Sequence, residues 1–303
     1  MSADNNTASD METYCCASCG VAGTDDVKLK KCNGCYLVRY CGVKCQRDHW
    51  RHHKKECKKR AAELRDEILF KQPEGTHRGD CPICMVPLPL DATINPMMVC
   101  CSKVICEGCN RANQERETEG RLLHVCPFCR KPLPDTKGKA DKMRMKRIEA
   151  NDPVAILEEG KTQCNKGEYT KAFDYFTKAA ELGDVEAHYK LACLYHDGLG
   201  VEQDRGKEIH HLEEAAIGGQ PRARHNLGSC EWFNNRKNRA VKHWIIAAAQ
   251  GNDDSVKMLT GMFRRGEVSK ESLDVALRGY QAAVNATKSP QREAAGPARN
   301  KLG

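Results

Sequence analysis

The sequence lacks apolar continuity. None of its 303 residues belongs to an unbroken apolar run of 18, and the mean hydropathy is −0.66. A helix needs about 20 such residues to cross a bilayer, so no membrane span is expected. The opening "MSADNNTASDMETY" lacks the basic region followed by an apolar stretch that marks a secretory signal. No nucleophile–base constellation and no phosphate-binding loop is visible either. These absences predict a chain of the cytoplasm or nucleus with no catalytic nucleophile of its own.

What the sequence does have is cysteine. Of its 19 cysteines, 16 fall between Cys15 and Cys129. A reducing compartment disfavours disulfides, so thiols packed this densely and in pairs point to metal, with zinc the first candidate. Changes in composition divide the chain. A polar tail, 1–13, precedes a first cysteine module, 14–60, and a helical linker, 61–77. A second cysteine module, 78–135, leads through a basic linker, 136–150, to a helical array rich in Ala, Gly, Leu and Tyr, 151–286. Residues 287–303, which contain "KSP", read as a disordered tail.

The first module runs Cys16-x2-Cys19-x12-Cys32-x2-Cys35-x5-Cys41-x3-Cys45-x7-His53-x3-Cys57. Eight donors suffice for two tetrahedral zincs. A zinc closed by four thiolates or imidazoles keeps no position for water, so it supports folding rather than catalysis. A module of about 45 residues has too little core to fold unaided, whereas one structural zinc can supply on the order of 10–16 kcal/mol.

With "YCGVKCQRDHWRHHKKEC", these residues resemble the MYND finger from Cys16 to Cys57: two CxxC pairs, then YC-x3-CQ-x3-W-x2-H-x3-C. The resemblance implies interleaved sites. Cys16, Cys19, Cys41 and Cys45 would hold one zinc, and Cys32, Cys35, His53 and Cys57 the other, leaving Cys15 over. His49 and His52 lack the family's offsets and read as solvated helix residues. The resemblance also implies a protein-interaction module in which Gln46 and Trp50 border a groove for proline-rich peptides. An aromatic wall suits a preformed polyproline segment, and an amide can fix its carbonyls. From the residues alone, Trp50 can equally be a core residue of a short last helix. MYND fingers also accompany SET methyltransferase domains, but no NHxCxPN-like stretch is present, so methyl transfer is not expected.

The second module runs Cys81-x2-Cys84-x15-Cys100-Cys101-x4-Cys106-x2-Cys109-x16-Cys126-x2-Cys129. It resembles a RING finger, yet Lys103 stands where such a finger usually has histidine. A lysine ammonium has no lone pair at neutral pH and cannot be a ligand; a neighbouring thiolate can. The resemblance is to an all-cysteine RING, whose cross-brace implies Cys81, Cys84, Cys106 and Cys109 on one zinc and Cys100, Cys101, Cys126 and Cys129 on the other. An alternative keeps one of the adjacent cysteines and recruits His124. In RING-type ubiquitin ligases, positions matching Ile83, Pro127 and Arg130 touch the ubiquitin-conjugating enzyme or ubiquitin. The interval between Cys109 and Cys126 has no Trp to line the docking groove, leaving Leu122 and Leu123 as weaker substitutes. Many atypical RING fingers only bind proteins, and Ile83 and Pro127 can also simply shape zinc knuckles.

Beyond Asn151 the sequence repeats. "AAELGDVEAHYKLACLYHDGLGVEQD" aligns with "AAIGGQPRARHNLGSCEWFNNRKN" at an offset of 36, pairing Gly183 with Gly219 and Ala187 with Ala223; the neighbouring copies fall at offsets of 32. The sets Ala172/Phe176/Ala179/Ala180, Glu208/Leu212/Ala215/Ala216 and Ala240/Trp244/Ala247/Ala248 share the spacing i, i+4, i+7, i+8 of one helical face. A repeat of this length predicts a solenoid of helix pairs. The array resembles Sel-one-like repeats over about four pairs, and the resemblance implies an adaptor with a protein-binding surface. Phe176, Tyr195, Trp232 and Trp244 fall at repeat positions and read as core; the isolated Cys164, Cys193 and Cys230 read as buried small apolar residues.

Net charge is +8, unevenly spread: residues 44–60 carry eight Lys or Arg against two acids, and 121–147 nine against two. Such stretches can mark nucleic-acid binding, but more often they are solvated linkers and helix faces, and neither finger has a recognition-helix layout. Nucleic acid is therefore not an expected partner. The sequence predicts two small cross-braced zinc modules followed by an all-α helix-pair solenoid, binding four zinc ions, two per finger. The expected function is an intracellular protein-interaction scaffold, with a ubiquitin ligase of RING type as the alternative.

Overall fold

The computed structural model describes residues 14–91 and 94–295. The expected tail 1–13 therefore lies outside the described residues. The chain divides into two compact units, Met1–Leu69 and Phe70–Gly303.

In the first unit a hairpin of two short antiparallel strands, β1 (Lys30–Lys31) and β2 (Arg39–Tyr40), precedes a helix, α1 (Val43–Leu69). At 27 residues, α1 is about 40 Å long. Its first turns carry Cys45, His53 and Cys57. Its second half accounts for the expected helical linker as far as Leu69 and is braced by Arg60, which donates to Glu63 (3.2 Å) and Glu67 (3.0 Å). The buried cluster of this unit is Cys16, Cys32, Cys35, Tyr40 and Cys57. Four of these five are candidate metal ligands, so the core is where the metal belongs.

The second unit opens with an irregular strap and the second cysteine module, built from the antiparallel hairpin β3 (Met97–Met98) and β4 (Lys103–Val104) and the helix α2 (Glu107–Glu119). Helix α3 (Lys137–Glu149) follows. Four helix pairs come next: α4 (Pro153–Asn165) with α5 (Tyr169–Glu181), α6 (Val185–Asp197) with α7 (Arg205–Ile217), α8 (Pro221–Phe233) with α9 (Lys237–Ala249), and α10 (Asp253–Arg264) with α11 (Lys270–Ala286).

The repeat is visible in each connection. Asp152, Asp184, Gln220 and Asn252 cap the first helix of successive pairs by accepting from its free N–H groups. The residue before each cap is left-handed: Asn151, Gly183, Gly219 and Gly251. Ala155, Ala187, Ala223 and Ser255 are buried one turn in. Small residues let the helices close up: at Gly160 a Cβ would lie 2.5 Å from the Phe176 ring, and at Gly228 2.5 Å from the Trp244 indole nitrogen. Phe176, Tyr195 and Trp244 are buried and Trp232 half-buried; Cys230 is buried, whereas Cys164 and Cys193 are only partly so.

The expected basic linker and part of the expected disordered tail are helical. The basic linker is α3, and it caps the solenoid. At the repeat position that holds Leu191, Leu227 and Leu259 in later pairs, the first pair holds a buried Glu159, to which Arg144 of α3 donates at 3.0 Å. Ile148 of α3 joins the first pair's core. Within the expected C-terminal tail, Pro290–Ala295 form a short helix, α12, against α2. Residues 296–303 lie outside the described residues.

The second cysteine module is thus built into the solenoid rather than tethered to it. His77 donates its backbone N–H to Gly219 O (3.0 Å), Gln250 donates to Gly75 O (3.2 Å), and the His77 ring meets Glu186 at 3.2 Å. Burial alone would raise the Glu186 carboxyl, but the His77 ring, with Lys190 and Lys161, outweighs it and holds the group at about 2.

Candidate metal centres and the surfaces beside them

Four of the five CxxC pairs fold into the same knuckle; the fifth, Cys106–Cys109, opens α2. The N–H of the residue after the second cysteine returns to the carbonyl of the first: Gly20 to Cys16 (2.9 Å), Tyr36 to Cys32 (2.9 Å), Met85 to Cys81 (2.8 Å) and Arg130 to Cys126 (2.9 Å). That residue is left-handed in all four, with φ between 55° and 75°. The turn aims two sulfurs at one point, and a second pair of donors completes each set.

Four tetrads result: Cys16, Cys19, Cys41 and Cys45; Cys32, Cys35, His53 and Cys57; Cys81, Cys84, Cys106 and Cys109; and Cys100, Cys101, Cys126 and Cys129, each with its donor atoms within 4.8 Å of one another. Zinc–sulfur bonds of 2.3 Å in a tetrahedron put sulfurs about 3.8 Å apart. The separations found are 3.6 Å (Cys19–Cys41), 3.7 Å (Cys32–Cys57), 3.8 Å (Cys84–Cys106) and 3.6 Å (Cys101–Cys126). These are tetrahedral edges and are far too long for disulfides. The thiols also perturb one another. Burial would raise Cys16 and Cys32, but backbone N–H groups hold each at about 6, whereas burial and the adjacent sulfurs push Cys57 up to about 12. The donor set fits zinc, and the chain has four zinc sites.

The adjacent cysteines fall in one tetrad because they turn a corner. Val99–Ser102 connect β3 to β4; Cys101 and Ser102 both donate backbone N–H to Met98 O (3.1 and 2.7 Å), with Ser102 left-handed. Lys103 points outward, exposed. His124 is turned from the metal and bonds through Nδ1 to the buried Glu117 at 2.9 Å. Burial would raise Glu117, but this ring and the Val125 N–H hold it below the ordinary carboxylate range. Accordingly, His124→Ala should keep four zincs per chain by elemental analysis, and Cys101→Ser should lose one. A zinc lost with His124 would put the imidazole back among the ligands.

Around the first finger, one expectation needs correction. His49 is not simply a solvated helix residue: its Nδ1 meets the hydroxyl of buried Tyr40 at 3.0 Å and its ring stacks on His53 at 5.7 Å, steadying the ligand imidazole. His52 is exposed. Trp50 is 41% exposed, which removes its reading as core, and Gln46, one turn earlier on α1, is half-exposed.

On the second module, Ile83, Pro127 and Arg130 converge. With Ala112, Asn113 and Arg116 of α2 they line an open groove of about 640 Å³. Leu122 and Leu123 are exposed elsewhere and take no part in it; α2 supplies the wall instead. The spacing of the cysteines gave no sign of α2's contribution. Among the described residues, no helix is long and apolar enough to cross a membrane.

These features define zinc-built fingers joined to a helical repeat array. Comparison with known families agrees in two segments. Residues 13–57 are a MYND finger, and residues 156–184, 185–220 and 221–252 are three Sel1 repeats. The chain is similar to the DAP3-binding cell death enhancer 1 of Mus musculus, 26% identical over 176 residues, covering 44% of this chain and 34% of the relative. It is also similar to the histone-lysine N-methyltransferase ASHR1 of Arabidopsis thaliana, 41% identical over 54 residues, covering 18% of this chain and 10% of the relative. The chain thus matches about a third of the length of the first of these relatives and a tenth of the second. Among solved structures, a Sel1 repeat protein from Oxalobacter formigenes superposes with a TM-score of 0.43 at 22% identity, covering 64% of this chain and 86% of that one.

Proposed function

We propose that the protein is an adaptor whose first finger holds a proline-rich peptide against Trp50 and Gln46 while the repeat array holds a second protein. The observation that carries this reading is the contrast along α1. His53 and Cys57 are buried at the metal while Trp50 stands out in solvent, so the metal fixes an aromatic wall it does not need for its own coordination. Each tetrad offers four protein donors, a closed set that would leave its metal structural. Calorimetric titration with a proline-rich peptide should show binding that Trp50→Ala abolishes with the zinc content unchanged. Equal affinity in the variant would sink the peptide assignment.

A second reading, transfer of ubiquitin from a conjugating enzyme to bound clients, is favoured by the convergence of Ile83, Pro127 and Arg130 on one groove. Ile83 is 44% exposed, so covering the remainder is worth ~1 kcal/mol, and Ile83→Ala should weaken docking of the enzyme about fivefold. Arg130 is left-handed, so Arg130→Gly removes the guanidinium without adding strain. This variant should slow ubiquitin discharge more than docking, because the lost contact is made mainly to the activated thioester. If the zinc-loaded protein accelerates discharge from no enzyme in a broad panel, this reading fails and the adaptor stands alone.

A further inference from the structure

Helix α12 reaches the second cysteine module from almost the other end of the chain and ends on its first zinc knuckle. The Arg292 guanidinium donates through Nη2 to Val86 O (2.8 Å) and toward Cys84 Sγ (3.5 Å), and through Nη1 to Pro87 O (2.6 Å) and Thr287 O (2.8 Å). Gln291 Oε1 lies 3.8 Å from Cys109 Sγ, positioned to accept from the thiol. The approach is close: a Cβ on Gly108 would come within 3.0 Å of the Gln291 and Arg292 backbone. Arg111 of α2 reaches Ala295 O at 3.4 Å, fastening the end of the helix.

The electrostatics explain why a cation belongs there. Zinc with four thiolates carries a net charge of −2, and each sulfur is steadied by N–H groups directed at it. The backbone N–H of Cys106 serves Cys81 Sγ (3.3 Å), and that of Cys109 serves Cys106 Sγ (3.4 Å). Cys84 Sγ has the Arg292 guanidinium instead, at 3.5 Å.

We infer that Arg292 belongs to the outer shell of the Cys81/Cys84/Cys106/Cys109 zinc, as a positioning residue that offsets the thiolate charge and pins the Cys84 knuckle. Helix α12 then completes the second cysteine module. The solenoid between them sets where Arg292 arrives, so the holding of this one metal depends on the integrity of the array's last pair.

The test uses the zinc-loaded full chain, mixed with excess chromophoric chelator while cysteine alkylation is mapped by mass spectrometry. Arg292→Ala should release one ion in four about tenfold faster, in the range known for outer-shell partners, with Cys84 alkylated first and the other three ions leaving at the parent rate. Arg292→Lys, which keeps the charge but not the fork, should recover part of the protection. Release traces that superimpose on the parent's would overturn the assignment. So would acceleration of all four ions together with loss of helicity, since that reports global unfolding.

Discussion

Cys35→Ser is expected to unfold residues 16–57 outright and to lower the zinc content from four per chain to two. The side chain is 1% exposed and sits in a cluster whose other members are Cys16, Cys32, Tyr40 and Cys57. Without its metal that cluster is a set of crowded thiols with one aromatic ring, and only the half-buried Leu29 and Val38 add apolar packing. A structural zinc supplies on the order of 10–16 kcal/mol, as much as the whole stability of an ordinary domain. The second zinc of the unit should leave too. Its ligands Cys41 and Cys45 lie between Cys35 and His53 in the chain, so the two sites cannot be held separately. Amide hydrogen exchange should show residues 16–42 unprotected in the variant. Three retained zincs with protected amides at Cys16–Cys19 would show that the sites fold independently. Tyr40→Phe is the control: it removes one hydrogen bond to His49, worth about 1 kcal/mol, and should leave all four metals in place.

The metal sites were legible in the sequence because zinc geometry is satisfied locally. A CxxC pair needs only a tight turn to aim two sulfurs at one point, and the turn's left-handed residue follows directly in the chain. The pairing of knuckles came from resemblance, and the structure brings the same donors together. The helix pairs were legible because each repeat buries the same face. Other features depend on contacts between residues far apart in the chain, and periodicity says nothing about those. Arg144 looks like one more charge in a basic stretch until Glu159, at a position that is leucine in the later pairs, requires it. Arg292 sits among Pro, Ser and Gln, and only its contacts with Val86, Pro87 and Cys84 distinguish it from a solvated tail residue. Trp50 and Trp244 are alike in composition, but their burial differs because one helix face meets solvent and the other meets a glycine.

That difference makes the expected effect at Trp244 large. The indole is 1% exposed, lies over Gly228 of α8, and donates Nε1–H to His225 O at 3.1 Å. Its cluster includes Leu259, Met262, Leu273 and Ala276, so it ties the third helix pair to the fourth. Trp244→Ala should cost ~3–5 kcal/mol, lowering the Tm of the repeat unit by about 10 °C. Gly228→Ala drives a methyl into the same indole and should cost about 1–3 kcal/mol by overpacking. Trp50→Ala, on a solvent-facing helix surface, should leave the Tm where it was. In a stack of repeats a lost interface is felt by its neighbours first, so hydrogen exchange in Trp244→Ala should rise earliest in α10 and α11. Helix α12 follows them directly and would leave the Cys84 knuckle with them, so this variant should also release one zinc faster than the parent. A uniform rise in exchange from α4 to α11, with unchanged zinc release, would show instead that the array melts as a single block and that Arg292 holds its place without the last pair.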